Sequence, residues 1–403
     1  MSEAAPLLEG KKVLLGIGAG IAAYKTPELV RRLLDEGADV QVAMTRAARD
    51  FVSPLVLQTV SRRPVAVELL DPRDDAAIGH IRIAEEADIV LIAPATADLV
   101  ARMAAGMADD MVTASLLVAK CPVVVAPSMN SNMLAHAATE RNLATLASFG
   151  YRVVDSDRGE LACGYEGAGR LPDPEALIQE LAAALAPDDL AGWRVLVSAG
   201  PTREALDPVR YLTNRSSGRM GYAVAAAAWR RGAGVTLVSG PTSLSAPRGV
   251  ERISVTSARE MHDAMLSRAH ASDAVVMVAA VADYRPAELA SQKIKKNAGA
   301  PASISLAEND DILAALGKLD GKRVLVGFAA ETNDVVANAR GKLERKGVDL
   351  IVANDVTRPG SGFETETNAA VLVDRGGQCD TGLVSKDRLA DLIFDRVLEL
   401  SSR

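Results

Sequence analysis

Three residues in the first half of the chain have side chains suited to acting on a small acidic substrate. Cys163 lies among four glycines in RGELACGYEGAGR, with no second cysteine nearby. Its thiol, with an ordinary pKa of about 8.5, is protonated at neutral pH and can donate a proton. His80, in GHIRIAEEAD, can act as a base or an orienting donor. Asn130, in APSMN, follows a buried strand, and its amide can donate to a carboxylate.

Each of these residues also has an ordinary structural interpretation. A lone histidine near a helix start is often a cap or a surface residue, and a cysteine can be an inert packing residue. The glycines around Cys163 predict a mobile loop, with the glycines as its hinge. Taken singly, none of the three residues defines a reaction.

A glycine-rich turn near the N-terminus predicts a phosphate site. GIGAGIAAYK follows a strand and opens a helix, so its N–H groups can hold a phosphate. Gly18 and Gly20 fit the pattern GxGxxA only loosely, and Thr45 stands where a ribose-binding acid is expected. This departure favours a mononucleotide over NAD, with a simple tight turn as the alternative. The small residues Ala95 and Thr96 would let a flat ring approach the backbone, unless they only connect a strand to a helix.

The second half of the chain contains a long polar segment after a strand, GPTREALDPVRYLTNRSSGRMG. Guanidinium, amide and hydroxyl groups together suit a phosphate and a carboxylate or acyl phosphate. A solvated polar loop is the alternative. The candidate substrate-binding residues are Arg203, Arg210, Asn214, Ser216 and Ser217.

A lysine cluster follows the next strand. Asp283 comes just after that strand, and Lys293, Lys295 and Lys296 follow in KIKK. Such a cluster usually forms a solvated face. After an acid at a strand end, it could instead neutralise a triphosphate whose Mg²⁺ this region helps to hold.

Two further features of this half are compatible with a nucleotide. Phe328, in GFAAET, stands at another strand end, where its ring can cover a base. Lys342 and Lys346 are four residues apart and therefore share a helical face. The sequence contains no GxxxxGK[ST], which excludes a P-loop.

The elements that must position these residues are short buried strands alternating with helices. Apolar runs such as KKVLLGI, ADIVLIAP and PVVVAPS lack clean alternation and predict parallel strands. The segment 27–37 has helical spacing and ends at a glycine. We therefore expect an α/β protein of two tandem doubly wound Rossmann-like domains with mainly parallel sheets. A second strand and glycine turn begin at WRVLVSAGPT, which places the domains at 1–188 and 189–403.

Composition narrows the class of protein. At 403 residues, 49% hydrophobic and 24% charged, the chain is typical of a soluble globular protein. A net charge of −7 and only 3% aromatic residues argue against general nucleic-acid or anionic-membrane binding. No apolar run reaches the length of a membrane helix, and no secretory signal is visible. The three cysteines give neither a zinc spacing nor a disulfide framework. We expect a cytoplasmic protein.

The first-half motifs, in this order, resemble the FMN-dependent phosphopantothenoylcysteine decarboxylases over residues 11 to about 186. The resemblance implies that His80 is the active-site histidine, that Asn130 holds the substrate carboxylate and that Cys163 is a proton donor on a flexible flap. It also implies FMN at a subunit interface of a trimer. The residues expected at FMN are Gly18, Gly20, Thr45, Ala95 and Thr96.

The second-half motifs, GPTREALDPVRYLTNRSSGRMG, AAVADYRP, KIKK, GFAAET and ANDV, resemble phosphopantothenate–cysteine ligases. The order of the two halves is that of the bacterial bifunctional coenzyme A biosynthesis proteins. The resemblance implies CTP with Mg²⁺, Asn214 at the acyl-cytidylate step, Lys293 stabilising phosphate charge and Asp283 at the metal. The residues expected at CTP are Met277, Val278, Ala279, Asp283, Lys293, Asp310, Phe328, Lys342 and Lys346. Decarboxylase trimers and ligase dimers would build a homo-oligomer, a dodecamer, acting only on small molecules.

Two other functions remain as alternatives. A flavin oxidoreductase with a nucleotide-binding appendage explains the glycine turn but leaves Asn130 and Cys163 without a role. A non-catalytic flavoprotein that regulates a partner would be expected to have lost the histidine, asparagine or cysteine, and all three are present.

Overall fold

The computed structural model describes residues 6–69, 79–162, 164–294, 303–331, 333–355, 358, 360, 362 and 365–402. The chain divides into two compact units, with the break between residues 186 and 187. Each unit is a layered α/β structure.

The N-terminal unit is built on short strands that alternate with helices. Its strands are β1 (Lys12–Ile17), β2 (Asp39–Met44), β3 (Ile89–Ala95), β4 (Val123–Pro127), β5 (Arg152–Val153), β6 (Asp157–Glu160) and β7 (Glu166–Arg170). Its helices are α1 (Thr26–Asp35), α2 (Pro54–Ser61), α3 (Gly79–Glu85), α4 (Ala97–Ala104), α5 (Met111–Val118), α6 (Ser131–Leu134), α7 (Ala137–Ser148) and α8 (Pro174–Leu185). Two 3₁₀ turns, Ile21–Lys25 and Arg46–Asp50, follow β1 and β2.

The sheet of this unit has the order β2-β1-β3-β4-β5, with every pair parallel. Alternate residues of β1 enter two different apolar clusters. Leu15 packs with Leu29 of α1 and Leu177 of α8, whereas Leu14 packs with Ile83 of α3 and with α5. Helices therefore cover both faces, and the loops at the carboxyl edge of the strands are left for a ligand.

Strands β6 and β7 form a separate antiparallel hairpin. They fall almost entirely within residues 158–170, the stretch for which the sequence predicts a mobile loop. Tyr165 lies near the tip of this hairpin with 68% of its surface exposed. The glycine-rich stretch is thus partly strand, which limits where it can bend.

The C-terminal unit has a larger sheet. Its strands are β8 (Arg194–Ala199), β9 (Arg203–Ala205), β10 (Tyr211–Thr213), β11 (Gly234–Ser239), β12 (Val250–Ser254), β13 (Ala274–Met277), β14 (Tyr284–Pro286), β15 (Leu306–Glu308), β16 (Val324–Glu331), β17 (Leu350–Asp355), β18 (Thr367–Asp374) and β19 (Gly377–Ser385). Its helices are α9 (Arg219–Arg230), α10 (Ala258–Ala269), α11 (Ile312–Gly317), α12 (Val335–Lys346) and α13 (Lys386–Ser401).

Eight strands pair in the order β12-β11-β8-β13-β16-β17-β18-β19. The first six are parallel, whereas β18 and β19 are antiparallel additions at one edge. Helices α9 and α13 pack on one face through residues such as Val224 and Phe394. Helices α10, α11 and α12 cover the other face. The prediction of two doubly wound α/β units with mainly parallel sheets is confirmed.

Within the described part of the chain, no helix has the length and apolar character needed to cross a membrane.

Candidate active sites

The first candidate site lies where the strands β1, β2 and β3 end. The N–H of Gly18 donates to the carbonyl oxygen of Pro94 at 3.1 Å, which joins the glycine turn to the end of β3. The N–H of Thr45, just after β2, donates to the carbonyl oxygen of Ile17 at 3.1 Å. The glycine turn and Thr45 are therefore held together at one edge of the sheet.

The close approach of these loops explains the glycine at position 18. A Cβ atom there would lie 2.6 Å from the carbonyl oxygen of Pro94, so no larger residue fits without moving the backbone. A Cβ atom on Gly20 would lie 2.9 Å from Cγ2 of Thr96. Thr96 caps α4, its hydroxyl accepting from the N–H of Leu99 at 3.4 Å. The turn and the strand end thus form one surface of small residues.

Two buried polar atoms of this unit have no hydrogen-bond partner among the described residues. They are the hydroxyl oxygen of Thr45 and Nδ1 of His80. Buried polar atoms are normally hydrogen-bonded, so each unpaired one requires an explanation, and a bound ligand is one such explanation. The Thr45 hydroxyl lies at the edge of the sheet beside the glycine turn, where it can hydrogen-bond to a polar group of FMN, the cofactor that the sequence resemblance implies.

The segment around Asn130 is anchored to the β6–β7 hairpin. Asn130 caps the short helix α6, its Oδ1 accepting from the N–H of Asn132 at 2.9 Å. The neighbouring Ser131 donates from its hydroxyl to the carbonyl oxygen of Ala168 at 2.7 Å. The N–H of Met129 donates to the carbonyl oxygen of Gly169 at 3.0 Å. The predicted carboxylate-binding residue is thus tied to the hairpin predicted to carry the proton donor.

The glycines of β7 serve this contact. A Cβ atom on Gly169 would lie 2.0 Å from the carbonyl oxygen of Met129, and one on Gly167 would lie 2.4 Å from the hydroxyl oxygen of Ser131. These two glycines therefore allow close packing, which is a different role from the hinge predicted from the sequence. Cys163 itself lies outside the described residues.

The second candidate site is a cavity of about 810 Å³ in the C-terminal unit, at the carboxyl ends of its parallel strands. Such a volume is in the range of small-ligand sites. Eleven of the residues predicted from the sequence line it: Asn214, Ser216, Ser217, Met277, Val278, Ala279, Asp283, Asp310, Phe328, Lys342 and Lys346. The structure therefore collects the polar loop, the acid, the aromatic ring and the helical lysines around one space.

Three other predicted residues do not line this cavity. The Arg203 guanidinium stacks on the ring of Tyr211, 4.6 Å from its centroid. Arg210 forms an ion pair with Asp207 at 2.5 Å and holds the pKa of that carboxyl well below its usual range. Lys293 is exposed, and the backbone of its neighbour Ile294 is hydrogen-bonded to this pair. Lys295 and Lys296 lie outside the described residues. Substrate binding by the two arginines and phosphate binding by Lys293 stay predictions.

Residues 278–283 line one part of the cavity and are called its backbone wall here. Two hydroxyl groups hold this segment in place. Ser198, fully buried at the end of β8, accepts from the N–H groups of both Val278 and Ala279 at 3.1 Å. Thr202 accepts from the N–H of Ala282 at 3.0 Å. These hydrogen bonds tie the segment after β13 to the end of β8 and the loop that follows it.

Two side-chain amides also hold the backbone wall in place. Nδ2 of Asn214 donates to the carbonyl oxygen of Val281 at 2.9 Å. Nδ2 of Asn309 donates to the carbonyl oxygen of Ala282 at 2.8 Å, and its own N–H donates to the carbonyl oxygen of Asp283 at 2.8 Å. The segment 278–283 is consequently bound to three other parts of the unit.

Helix α12 contributes two positive charges to the cavity. Nζ of Lys342 donates to the carbonyl oxygen of Phe328 at 3.1 Å, and burial lowers the pKa of this lysine. Lys346 pairs with Asp311; although burial of Asp311 opposes the effect, that hydrogen bond brings the pKa of its carboxyl below the usual value. Both ammonium groups lie at the cavity, where they can meet an anionic ligand.

Among the cavity-lining residues to which the sequence analysis gave no role are four polar or charged ones. They are Arg219, Asn354, Asn368 and Lys386. Arg219 directly follows SSG and is itself part of the polar segment identified in the sequence, so that motif could have identified it. Asn368 and Lys386 belong to β18 and α13, which come after every motif that suggested function.

The two units correspond to two families of protein domain. Residues 1–186 match the flavoprotein family, and residues 190–400 match the DNA/pantothenate metabolism flavoprotein C-terminal domain. The protein is therefore a flavoprotein-type domain joined to a domain of pantothenate metabolism.

Relatives of the whole chain carry both domains. The coenzyme A biosynthesis bifunctional protein CoaBC of Vibrio parahaemolyticus is 52% identical, over 98% of this chain and 99% of that protein. The protein of the same name from Escherichia coli K12 is 50% identical, over 97% of each. The crystal structure of the C-terminal domain of a CoaBC protein covers 54% of this chain and 100% of that chain at 38% identity, with a TM-score of 0.46. The chain belongs to the family of bifunctional coenzyme A biosynthesis proteins, enzymes that combine phosphopantothenoylcysteine decarboxylase and phosphopantothenate–cysteine ligase activities.

Proposed function

We propose that the C-terminal unit joins 4'-phosphopantothenate to L-cysteine with CTP, and that the N-terminal unit decarboxylates the product with FMN to give 4'-phosphopantetheine. The observation that supports the ligase half best is the convergence of Asn214, Asp283 and the α12 lysines on one cavity. For the decarboxylase half, it is the buried Thr45 hydroxyl beside the glycine turn, which has no hydrogen-bond partner among the described residues.

The ligase reaction has two steps. The carboxylate of 4'-phosphopantothenate attacks the α-phosphorus of CTP, which forms an acyl-CMP and expels pyrophosphate. The cysteine amine then attacks the acyl carbon and expels CMP. Lys342 and Lys346 stabilise phosphate charge, and the Phe328 ring covers the base. Asn214, beside the backbone wall, orients the acyl phosphate.

The metal assignment rests on Asp283. Among the described residues, no three His, Cys, Asp or Glu side chains are grouped so as to hold a metal ion. Mg²⁺ usually keeps several waters and binds through one or two carboxylates and the substrate phosphates. The exposed carboxylate of Asp283 at the cavity fits that coordination.

In the decarboxylase unit, Gly18, Gly20, Thr45, Ala95 and Thr96 would hold FMN. When bound, FMN would supply the hydride chemistry by which the thiol-bearing carbon of the substrate is oxidised before CO₂ leaves and reduced again afterwards. Asn130 would orient the substrate carboxylate, and His80 would orient the substrate near the flavin. Cys163 would give the proton that the enethiolate product of decarboxylation requires, and closure of its hairpin would exclude water.

One experiment tests both halves. The purified protein receives 4'-phosphopantothenate, L-cysteine, CTP and Mg²⁺, and mass spectrometry follows 4'-phosphopantetheine; a parallel reaction replaces CTP with ATP. A second sample starts from phosphopantothenoylcysteine and so bypasses the ligase. Product only in the second sample refutes the ligase proposal, and a colourless protein that takes up no FMN refutes the decarboxylase proposal.

We further propose that the protein assembles as a cytoplasmic homo-oligomer, a dodecamer of decarboxylase trimers and ligase dimers. Ile21, Tyr24 and Leu55 of the N-terminal unit each expose more than half of their surface, which an interface would bury. Native mass spectrometry should give twelve times the chain mass, and a monomer at micromolar concentration would contradict the proposal.

A further inference from the structure

Lys386 is a buried lysine that the reactions above do not use. It is the first residue of α13, and only 5% of its surface is exposed. Its Nζ donates to the carbonyl oxygens of Gly362 at 3.4 Å, Thr365 and Thr367 at 3.2 Å, and to Oδ1 of Asn368 at 3.3 Å. Its three N–H donors are thus shared among four oxygens of one segment.

This position is unfavourable for a cation. Burial lowers the pKa of Lys386 to about 8, and the N-terminal end of a helix carries a partial positive charge. A buried ammonium is retained only where its hydrogen bonds compensate for lost hydration. All four acceptors lie at residues 362, 365, 367 and 368, here called the 362–368 segment, of which residues 363 and 364 lie outside the described part of the chain. The ammonium therefore serves to hold these four residues.

The 362–368 segment is in turn connected to the beginning of α9. Glu366 forms an ion pair with Arg219, and Nδ2 of Asn368 contacts the sulfur of Met220 at 3.5 Å. Arg219 and Met220 both line the ligase cavity and directly follow the polar residues 216–218. A continuous series of contacts therefore runs from α13 through the segment to the cavity wall.

We propose that Lys386 is a positioning residue of the ligase cavity, whose ammonium ties the 362–368 segment to α13 so that the segment holds the start of α9 against the nucleotide triphosphate. This inference rests on the ligase function proposed above. Lys386 acts through the segment and does not itself touch the substrate, because its donors are taken up by the segment's oxygens.

The test compares Lys386→Met, which keeps the length of the side chain and removes its donors, with Lys322→Met at an exposed lysine of the same unit. We expect the KM for CTP to rise about tenfold in Lys386→Met, with kcat changed less than about threefold, since a charge-assisted hydrogen-bond set is lost outside the reacting atoms. Lys322→Met should match the wild type. An unchanged KM for CTP in Lys386→Met would overturn the proposal, whether kcat is also unchanged or falls by about tenfold.

A second variant keeps the test decisive if Lys386→Met does not fold. Glu366→Gln removes the ion pair to α9 and leaves the buried ammonium in place, and it should raise the KM for CTP by a smaller factor, about threefold. If Glu366→Gln has the wild-type KM, the connection to α9 is wrong. If the wild type itself makes no phosphopantothenoylcysteine with CTP, the ligase proposal has failed and not this one. Decarboxylation of added phosphopantothenoylcysteine, measured on every variant, checks the other unit.

Discussion

The contact between Ser131 and the β6–β7 hairpin can be tested by a double-mutant cycle. An alanine at position 167 would put its Cβ 2.4 Å from the Ser131 hydroxyl oxygen and 3.3 Å from the Ser131 Cβ. The hydroxyl must then rotate away and lose its hydrogen bond to the carbonyl oxygen of Ala168. Gly167 has no positive φ, so alanine brings no backbone strain there.

The expected magnitudes follow from that single hydrogen bond. Its loss costs about 1 kcal/mol, which is about a fivefold change in the equilibrium between docked and undocked hairpin. Gly167→Ala and Ser131→Ala should each lower docking by about that factor. In the double variant the clashing oxygen is absent, so the cost should stay near that of Ser131→Ala, with a coupling of about 1 kcal/mol.

Hydrogen exchange measured by mass spectrometry reads this equilibrium directly. Peptides that cover residues 157–170 should exchange about fivefold faster in each single variant and no faster than that in the double variant. Peptides of the C-terminal unit serve as the internal control. If the effects are additive, exchange of these peptides will be about 25-fold faster in the double variant, and the steric reasoning is refuted. Single variants that exchange at the wild-type rate would refute it as well.

Three further predictions concern other parts of the molecule. Gly18→Ala should reduce bound flavin about tenfold or more, because its Cβ meets a backbone oxygen that cannot move freely; absorbance near 450 nm of the purified protein measures it, and full flavin content would contradict it. Asn214→Ala should slow the ligase about 100-fold and leave decarboxylation of added substrate unchanged; parallel assays of the two activities separate these effects. For Lys386, whose facing charges are Glu366 and Arg219, burial lowers the pKa from 10.5 to about 8 in the folded chain. Unfolding takes up a proton in that interval, so the free energy of unfolding of the wild type should rise relative to Lys386→Met between pH 8 and 10.5. Urea unfolding followed by tryptophan fluorescence reports this unit, since both tryptophans lie in it, and a constant difference across the interval would contradict the assignment.

The sequence predicted the α/β architecture because buried parallel strands appear as short apolar runs. KKVLLGI and PVVVAPS became β1 and β4. Sheet order could not be predicted, since pairing such as β8 with β13 joins residues almost eighty positions apart. The antiparallel pair β18 and β19 was missed as well, because neither strand ends at a residue type that suggested chemistry.

The site residues were predictable where a motif and a strand end coincide. Asn214, Asp283 and Phe328 follow three different strands, and the fold brings all three to one cavity. Gly167 and Gly169 show what could not be predicted, because the sequence does not distinguish a glycine that permits bending from one that permits close packing. Lys386 shows another limit, since the oxygens that bury it lie about twenty residues earlier in the chain.

The fixed backbone of residues 278–283 has a consequence for affinity. Ser198, Thr202, Asn214 and Asn309 hold this segment through their own hydrogen bonds. The conformational entropy of the segment is therefore lost when the chain folds and not when a ligand arrives. A molecule that contacts these backbone groups meets a pre-organised surface, so its binding free energy is not reduced by ordering the loop.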